Sequence, residues 1–377
     1  MRPKEPHVTN QRIFFDGSYL VNKSGIGRDS RNLLIAAQFA FGKKIEIIYP
    51  AFRPFSRRAK LAPQPSHSVT QRILKLQSAL LGRANYLDLP RGSILIQSHI
   101  NSIVPNPNRN IKSIIRLHDL FPITNPEWFR FFSRRLFQIG LSKTINGAFF
   151  ICDSVTTRNR LIAESSGCEF RSCVSLCPVE IFESNQCGYC EGCRQIKSNK
   201  AHVIAVGTLE PRKNYEELLG GWQSSRASMH GINLYIVGGS GWKSKKLQKI
   251  LTGEKYQNVK WVKGACDGSL GVLIKTAKFL VSTSKAEGFN LPIAESLLLD
   301  TPVLISNNEV HKEIYAAFAR FYELGSVADL SEQLGLAITN PSFFNGLNNS
   351  AKTAFNYQSL LGKLCSSLTE VVNSLSV

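Results

Sequence analysis

Short β-rich runs alternate with helical patterns along both halves of this chain, and that alternation is what most limits how it can fold. In the first half the pattern predicts strands near Arg12–Phe15, Lys44–Tyr49, Ser93–Gln97, Ser113–Leu117 and Ala148–Cys152. Helical patterns fall near Arg28–Phe41, Glu127–Ile145 and Val155–Glu164. In the second half strands are expected near His202–Val206, Asn233–Val237, Val259–Val262, Phe279–Ser282 and Val303–Ile305. Their helical partners are expected near Asn214–Trp222, Ser244–Leu251, Gly268–Thr276, Pro292–Leu299 and Val327–Ile338. Strands joined through helices pair in parallel, with helices covering both faces of the sheet. At 377 residues the chain is long for one core, so two α/β domains are expected. Ser175–Asn199, with Pro, Gly, Ser, Asn and clustered Cys, breaks the alternation. It suggests an N-terminal domain over 1–180, a Cys-rich linker over 181–199 and a C-terminal domain over 200–357. An amphipathic helix over 358–377 should pack back toward the N-terminal domain. Pro54–Leu89 reads as a loop with one short helix.

A content of 43% hydrophobic and 19% charged residues is that of a globular protein rather than a disordered one. No apolar run approaches the ~18–20 residues of a membrane span. The start, Met1-Arg-Pro-Lys-Glu-Pro-His7, has no apolar h-region, so a cytoplasmic protein is expected. Up to Lys197 there are 28 Lys and Arg against 13 Asp and Glu, a balance of +15; the remainder has 18 against 14, or +4. Basicity concentrated in one half points to an anionic partner such as a membrane face, a phosphorylated acceptor or nucleic acid. Nine cysteines without an export signal argue for free thiols rather than a disulfide framework.

The densest chemistry lies in Glu287-Gly-Phe-Asn-Leu-Pro-Ile-Ala-Glu295. Two glutamates with seven residues between them flank a turn between a strand-like run and a helix-like run. Pro292 suits a helix start, where its missing N–H costs nothing. Amides around Phe289, Asn290 and Leu291 would then face an anion, with Glu287 in the loop and Glu295 about one turn into the helix. A ligand carrying both phosphate and hydroxyls, such as a sugar nucleotide, fits that set. Arg212 and Lys213 follow another strand end and offer a fork and a point charge to a diphosphate.

Taken in order, these segments resemble the retaining glycosyltransferases of the GT-B fold, group 1 (the GT4 family), over most of the chain. Val206-Gly-Thr-Leu-Glu-Pro-Arg-Lys-Asn214 is similar to that family's phosphate loop, and Leu234-Tyr-Ile-Val-Gly-Gly239 to its next strand and turn. Asp300-Thr-Pro-Val303 is similar to its Gly-Thr-Pro-Val strand, and Ser24-Gly-Ile-Gly-Arg28 to its first glycine loop. Leu117-His-Asp-Leu-Phe-Pro122 resembles the His-Asp segment of a mannosyltransferase-like branch. The resemblance implies two Rossmann-like domains facing a cleft and a hexose transferred with retention to a glycan or lipid-linked acceptor of surface polysaccharide or glycolipid synthesis. GDP-mannose is the donor suggested by the branch. Arg212 and Lys213 would stabilise the departing diphosphate, Glu287 and the 289–291 amides would hold the sugar, and Glu295 the ribose. His118 would lie against the sugar, and the loop of Gly25 and Gly27 would approach the diphosphate. No Asp-x-Asp motif sits near a strand end, so no catalytic metal is expected.

The sequence departs from the family pattern at Asn290 and Asp300, which stand where glycine is usual. Both residue types tolerate left-handed turns, so the geometry should survive. Cys187-Gly-Tyr-Cys-Glu-Gly-Cys193 carries three thiols at metal-ligand spacing. A structural zinc there needs a fourth ligand, for which Cys177 is the first choice and Cys173 or Cys168 follow; a metal-free insertion is the other reading. The run Trp128-Phe-Arg-Phe-Phe-Ser-Arg-Arg-Leu-Phe137 mixes aromatic and basic residues. It reads as a core helix for most of its aromatics, with contact to an anionic membrane as the alternative. Two other functions compete: a nucleic-acid or metal-binding protein built on the basic half and Cys cluster, and a non-hydrolysing sugar-nucleotide epimerase. The first leaves Arg212, Lys213 and the paired glutamates unexplained, which makes nucleic acid the weaker partner.

Overall fold

The computed structural model describes residues 11–22, 24–42, 45–51, 58–62, 85–100, 103–181, 187–197, 200–225, 227–253, 255–256 and 258–375. Within Pro54–Leu89, residues 54–57 and 63–84 fall outside the described residues, and the short helix expected there with them; the described remainder includes two strands, Arg58–Ala62 and Asn85–Leu87, where a loop was expected.

The chain forms two units, one of Met1–Pro178 with Gln358–Val377 and one of Val179–Tyr357. The first holds β1 (Ile13–Asp16), β2 (Ile45–Ala51), β3 (Arg58–Ala62), β4 (Asn85–Leu87), β5 (Ile94–Gln97), β6 (Ile103–Pro105), β7 (Lys112–Leu117), β8 (Phe149–Cys152) and β9 (Arg171–Val174). Among the described residues they form one nine-stranded sheet in the order β6-β4-β3-β2-β1-β5-β7-β8-β9. β2 and β3 pair antiparallel, whereas β1, β5, β7, β8 and β9 pair in parallel with their neighbours. The central strands are buried along their length, as strands covered on both faces must be. Ile115, Leu117 and Phe150 pack with Phe137 and Leu141 of the helix Phe131–Thr144 and with Leu161 of the helix Val155–Ala163.

The aromatic run divides along this helix. Phe137 is buried, while Phe131 and Phe132 are 58% and 40% exposed. The last helix, Tyr357–Leu375, buries Leu360, Leu361, Leu364, Leu368, Val371 and Val372 on one stripe, and all but its first residue belong to the first unit. Arg171 of β9 donates to the Ser374 carbonyl in the same unit.

The second unit holds β10 (His202–Val206), β11 (Asn233–Val237), β12 (Val259–Val262), β13 (Leu280–Ser282), β14 (Val303–Ser306) and β15 (Arg320–Tyr322). Among the described residues they form a six-stranded parallel sheet in the order β12-β11-β10-β13-β14-β15. The helices Tyr215–Ser224 and Val327–Thr339 cover one face, and Gly221 lets the Leu330 side chain close on that contact. The chain runs outward from β10 through β11 to β12, then returns to place β13 on the other side of β10. Such a reversal opens a crevice at the carboxyl ends of the two central strands, where open parallel sheets bind ligands.

The Cys-rich stretch is part of this unit rather than a linker. Its helix Glu191–Lys197 packs on the helix Asp267–Lys275, and the unit boundary lies earlier, at Pro178–Val179. No helix among the described residues is long and apolar enough to cross a membrane.

Candidate active site

The crevice of the second unit gathers the charged residues. After β10 the chain turns through Gly207 and Leu209 into a single 3-10 turn, Pro211–Lys213, capped by Asn214 at φ 55°. Gly238, which ends β11, has φ +156°, and a Cβ there would strike the Gly207 carbonyl, so only glycine lets these two loops meet. After β13, Thr283 Oγ1 donates to the Lys213 carbonyl at 2.9 Å, and the Lys285 amide donates to the Arg212 carbonyl at 2.8 Å. The two strand-end loops are thereby fastened together.

Fastening them brings four charges into contact. Lys213 Nζ donates to Glu287 Oε1 at 2.7 Å, and Arg212 Nη1 donates to Glu287 Oε2. Arg212 Nη2 donates to Glu210 Oε1 at 2.6 Å, and Nη1 also reaches the Ala286 carbonyl at 3.0 Å. Burial alone would raise the Glu287 carboxyl, but Arg212 and Lys213 outweigh it and hold the group at about 2. Glu287 is therefore a permanent anion clamped between two cations at the sheet's switch point.

The turn between the two glutamates is fixed from behind. Asn290 takes φ 78° ahead of the helix Leu291–Leu298, the left-handed geometry that a glycine would take there. Its side-chain amide donates to Ser282 Oγ at 3.1 Å and to His311 Nε2 at 2.9 Å. His311 Nδ1 lies 2.9 Å from the Ser306 carbonyl, which fixes the proton on Nδ1 and leaves Nε2 to accept. Burial holds this imidazole down at about 4. Tyr315 donates to the Phe289 carbonyl at 3.1 Å. The Phe289 side chain is buried against Tyr315 and Phe355, so only its backbone can serve a ligand. The Ile293 amide donates to the Asn290 carbonyl at 3.0 Å and Pro292 has no N–H, which leaves the Leu291 amide without an intrahelical acceptor. Glu295, the fifth residue of this helix, is buried. Asp300 has φ 58°, again a left-handed position that aspartate accepts.

The first unit holds the other expected residues. Arg116 is buried one residue before the end of β7, with Nε 2.9 Å from Asp29 Oδ2 and Nη2 2.7 Å from Asp153 Oδ1. His118, just past the strand, sets Nδ1 2.8 Å from Asp153 Oδ2 and Nε2 3.1 Å from the Ser98 carbonyl. Both partners are acceptors, so the ring suits the doubly protonated form. Burial opposes that charge, but Asp153 and Asp29 overcome it and raise His118 to about 9. Asp29, His118 and Asp153 are close enough for a metal, yet the Arg116 guanidinium already lies between the two carboxylates. Asp119 Oδ1 accepts from the Phe121 amide at 3.2 Å and so shapes the loop. Gly25 opens the helix Gly25–Phe41, and a Cβ on Gly27 would strike the Asn22 carbonyl, so Gly27 has a packing reason of its own.

The cysteine ligand set needs correction. Cys187, Cys190 and Cys193 are joined by Cys266, with all four sulfurs within 4.8 Å of one another. Cys177 is in the first unit, buried, its thiol donating to Asp29 Oδ1 at 2.8 Å, so it is not the fourth member. Burial and the neighbouring Asp29 carboxylate push that thiol up, as befits a donor. His311, Glu210, Arg116, Asp153 and Cys266 were not singled out from the sequence. Arg116 inside the apolar run Ile114-Ile115-Arg116-Leu117 was the legible signal, because a buried guanidinium demands carboxylates.

Residues 194–354 match the family described as "Glycosyl transferases group 1". Over that stretch, somewhat less than half of its length, the chain is similar to group 1 glycosyltransferases. Arg212, Lys213, Glu287, Asn290 and Glu295 all fall inside it. The chain is 28% identical over 233 residues to the serotype-specific mannosyltransferase WbdA of Escherichia coli, a match covering 57% of this chain and 28% of WbdA. It thus spans less than a third of that relative. Among solved structures, sucrose-phosphate synthase from Thermosynechococcus elongatus aligns with TM-score 0.67 at 15% identity, covering 97% of this chain and 100% of that one. WaaG, described as a glycosyltransferase involved in lipopolysaccharide biosynthesis, aligns with TM-score 0.61 at 15% identity, covering 95% and 99%. At such identity the likeness establishes the fold alone, as GT-B.

Proposed function

We propose that this protein transfers a hexose, mannose by preference, from a nucleoside-diphosphate sugar to a glycan or lipid-linked acceptor in surface polysaccharide or glycolipid synthesis. The observation that carries this reading is the Arg212–Lys213–Glu287 cluster at the switch point of the second unit's sheet. Lys213 brings three N–H donors, one of which is spent on Glu287. Arg212 and Lys213 receive the negative charge that grows on the diphosphate as the glycosidic bond to phosphate breaks, a task for preorganised cations. They supply that charge without a divalent ion, so the reaction proceeds in chelator. Glu287, ionised across the working pH range, accepts hydrogen bonds from sugar hydroxyls. Glu295 accepts from the ribose. The preference for mannose is supported by the likeness to WbdA, and the choice of GDP rests on the resemblance of Leu117–Pro122 to the mannosyltransferase-like branch. Transfer with retention rests on the family resemblance. The exposed Phe131 and Phe132, beside exposed Arg130 and Arg135, suit a peripheral contact with an anionic membrane face that would carry a lipid-linked acceptor.

Calorimetric binding of GDP, UDP and ADP in EDTA tests the donor site. GDP should bind to the wild type and weaken at least tenfold in Glu295→Ala. If none of the three binds to the wild type, the donor reading fails. The anomeric configuration of the product, read by NMR, tests retention.

A further inference from the structure

We propose that Cys187, Cys190, Cys193 and Cys266 form a tetrathiolate zinc site that ties the loop after β12 to the segment 187–197. A tetrahedral zinc with Zn–S near 2.3 Å sets its sulfurs about 3.8 Å apart. Here Cys190 and Cys193 Sγ are 3.5 Å apart, Cys193 and Cys266 3.9 Å, and Cys187 and Cys193 4.0 Å. Disulfide sulfurs sit about 2.05 Å apart, so these four are arranged around a common centre rather than in bonded pairs.

The surroundings suit thiolates. The backbone N–H groups of Cys190, Cys193, Cys266 and Cys187 donate to Cys187, Cys190, Cys190 and Cys266 sulfurs at 3.3, 3.4, 3.4 and 3.4 Å. Ser269 Oγ lies 3.4 Å from Cys190 Sγ and 3.3 Å from Cys266 Sγ. Amide donors aimed at ligating atoms orient a metal's ligands and spread its charge.

Two further bonds hold the same pieces together. The Gly192 amide donates to the Gly264 carbonyl at 2.9 Å, and the Lys263 amide donates to Glu191 Oε2 at 2.8 Å. A Cβ on Gly192 would meet Ser269 Oγ and the Ala265 Cβ, so the segment seats directly on the 263–266 loop. That loop leaves the carboxyl end of β12, the edge of the sheet at which the donor is proposed to bind. The metal therefore braces a loop of the ligand-binding edge; this consequence, unlike the site itself, rests on the proposed donor function.

The full chain, purified under reducing conditions from zinc-supplemented cells, should contain one zinc per molecule by elemental analysis. Cys266→Ser should lose it and Cys177→Ser should keep it. A metal-free wild type overturns the site, and so does zinc kept by Cys266→Ser but lost by Cys177→Ser. One equivalent of iron in place of zinc overturns the ion assigned. Because Cys266→Ser can fail to fold, cobalt(II) is also titrated into metal-stripped wild type. Intense thiolate-to-cobalt charge-transfer and tetrahedral ligand-field bands saturating at one equivalent support the site. The faint spectrum of octahedral cobalt overturns it. GDP affinity is then compared with and without zinc. A wild type that binds zinc but no nucleotide defeats the donor reading and leaves the metal site standing.

Discussion

Asn290 donates its side-chain amide to Nε2 of His311 at 2.9 Å, and this bond holds the turn between Glu287 and Glu295. Asn290 adds a polar side chain at a position whose left-handed backbone would suit glycine. That side chain is buried, so its amide needs acceptors, and His311 and Ser282 provide them. An asparagine at this turn and a histidine one helix later are therefore parts of one device.

His311 should make the protein acid-sensitive. Its ring is neutral when folded, held at about 4 against an ordinary 6.5. Between those values the unfolded chain binds the proton that the folded chain refuses, so stability is complete above about 6.5 and falls as pH drops toward about 4. Urea midpoints at several pH values should show this slope in the wild type. His311→Gln, which can still accept from Asn290, should flatten it. An unchanged slope in that variant would place the acid sensitivity elsewhere.

Lys213→Met should weaken nucleoside-diphosphate binding tenfold or more and cost stability on the order of 1–2 kcal/mol. Removing one partner from a buried ion pair leaves the other carrying uncompensated charge, and Arg212 limits the damage here. Lys246→Ala is the control. Its pairing with Glu216 is solvent-exposed, with side chains 82% and 60% accessible, and exposed pairs contribute little. Equal losses of affinity in both variants would contradict a specific role for Lys213.

Much of this was legible in the chain because it is local. β10 and β11 are apolar after their first residue, and Pro211-Arg-Lys213 and Glu287 follow the ends of apolar strands, where a parallel sheet presents ligand contacts. The strands β4, β6 and β15 have three residues each, too few to show a period, and take their form from neighbours. That Glu287 grips both Arg212 and Lys213 needs a sheet in which β10 and β13 lie side by side, 75 residues apart in sequence between Arg212 and Glu287. Cys266 was missed for the same reason. Spacing pointed to cysteines near Cys187, whereas the crossover from β12 delivers one 73 residues beyond Cys193.

Gly238→Ala should destabilise the second unit by more than about 1 kcal/mol, because both the positive φ and the Gly207 carbonyl oppose a Cβ. The shift this forces on the 207–209 loop should also weaken nucleotide binding. Gly239→Ala tests the explanation, since a Cβ there meets nothing within 4 Å. Melting temperatures of the two variants should separate clearly. Matching losses would mean that the turn, rather than contact with Gly207, is what glycine serves.

His118 should titrate far above an ordinary histidine. Its two ring nitrogens face Asp153 and the Ser98 carbonyl, both acceptors, and the folded ring is raised from 6.5 to about 9. A proton held more tightly by the folded chain stabilises it fully below about 6.5. That contribution is lost as pH rises through about 9, the reverse of the His311 trend. NMR titration of the His118 ring should place its midpoint well above 8, and His118→Gln should remove the alkaline loss of stability. A midpoint near 6.5 would mean that Arg116 satisfies Asp29 and Asp153 by itself. The ring would then be a neutral hydrogen-bond partner of Asp153.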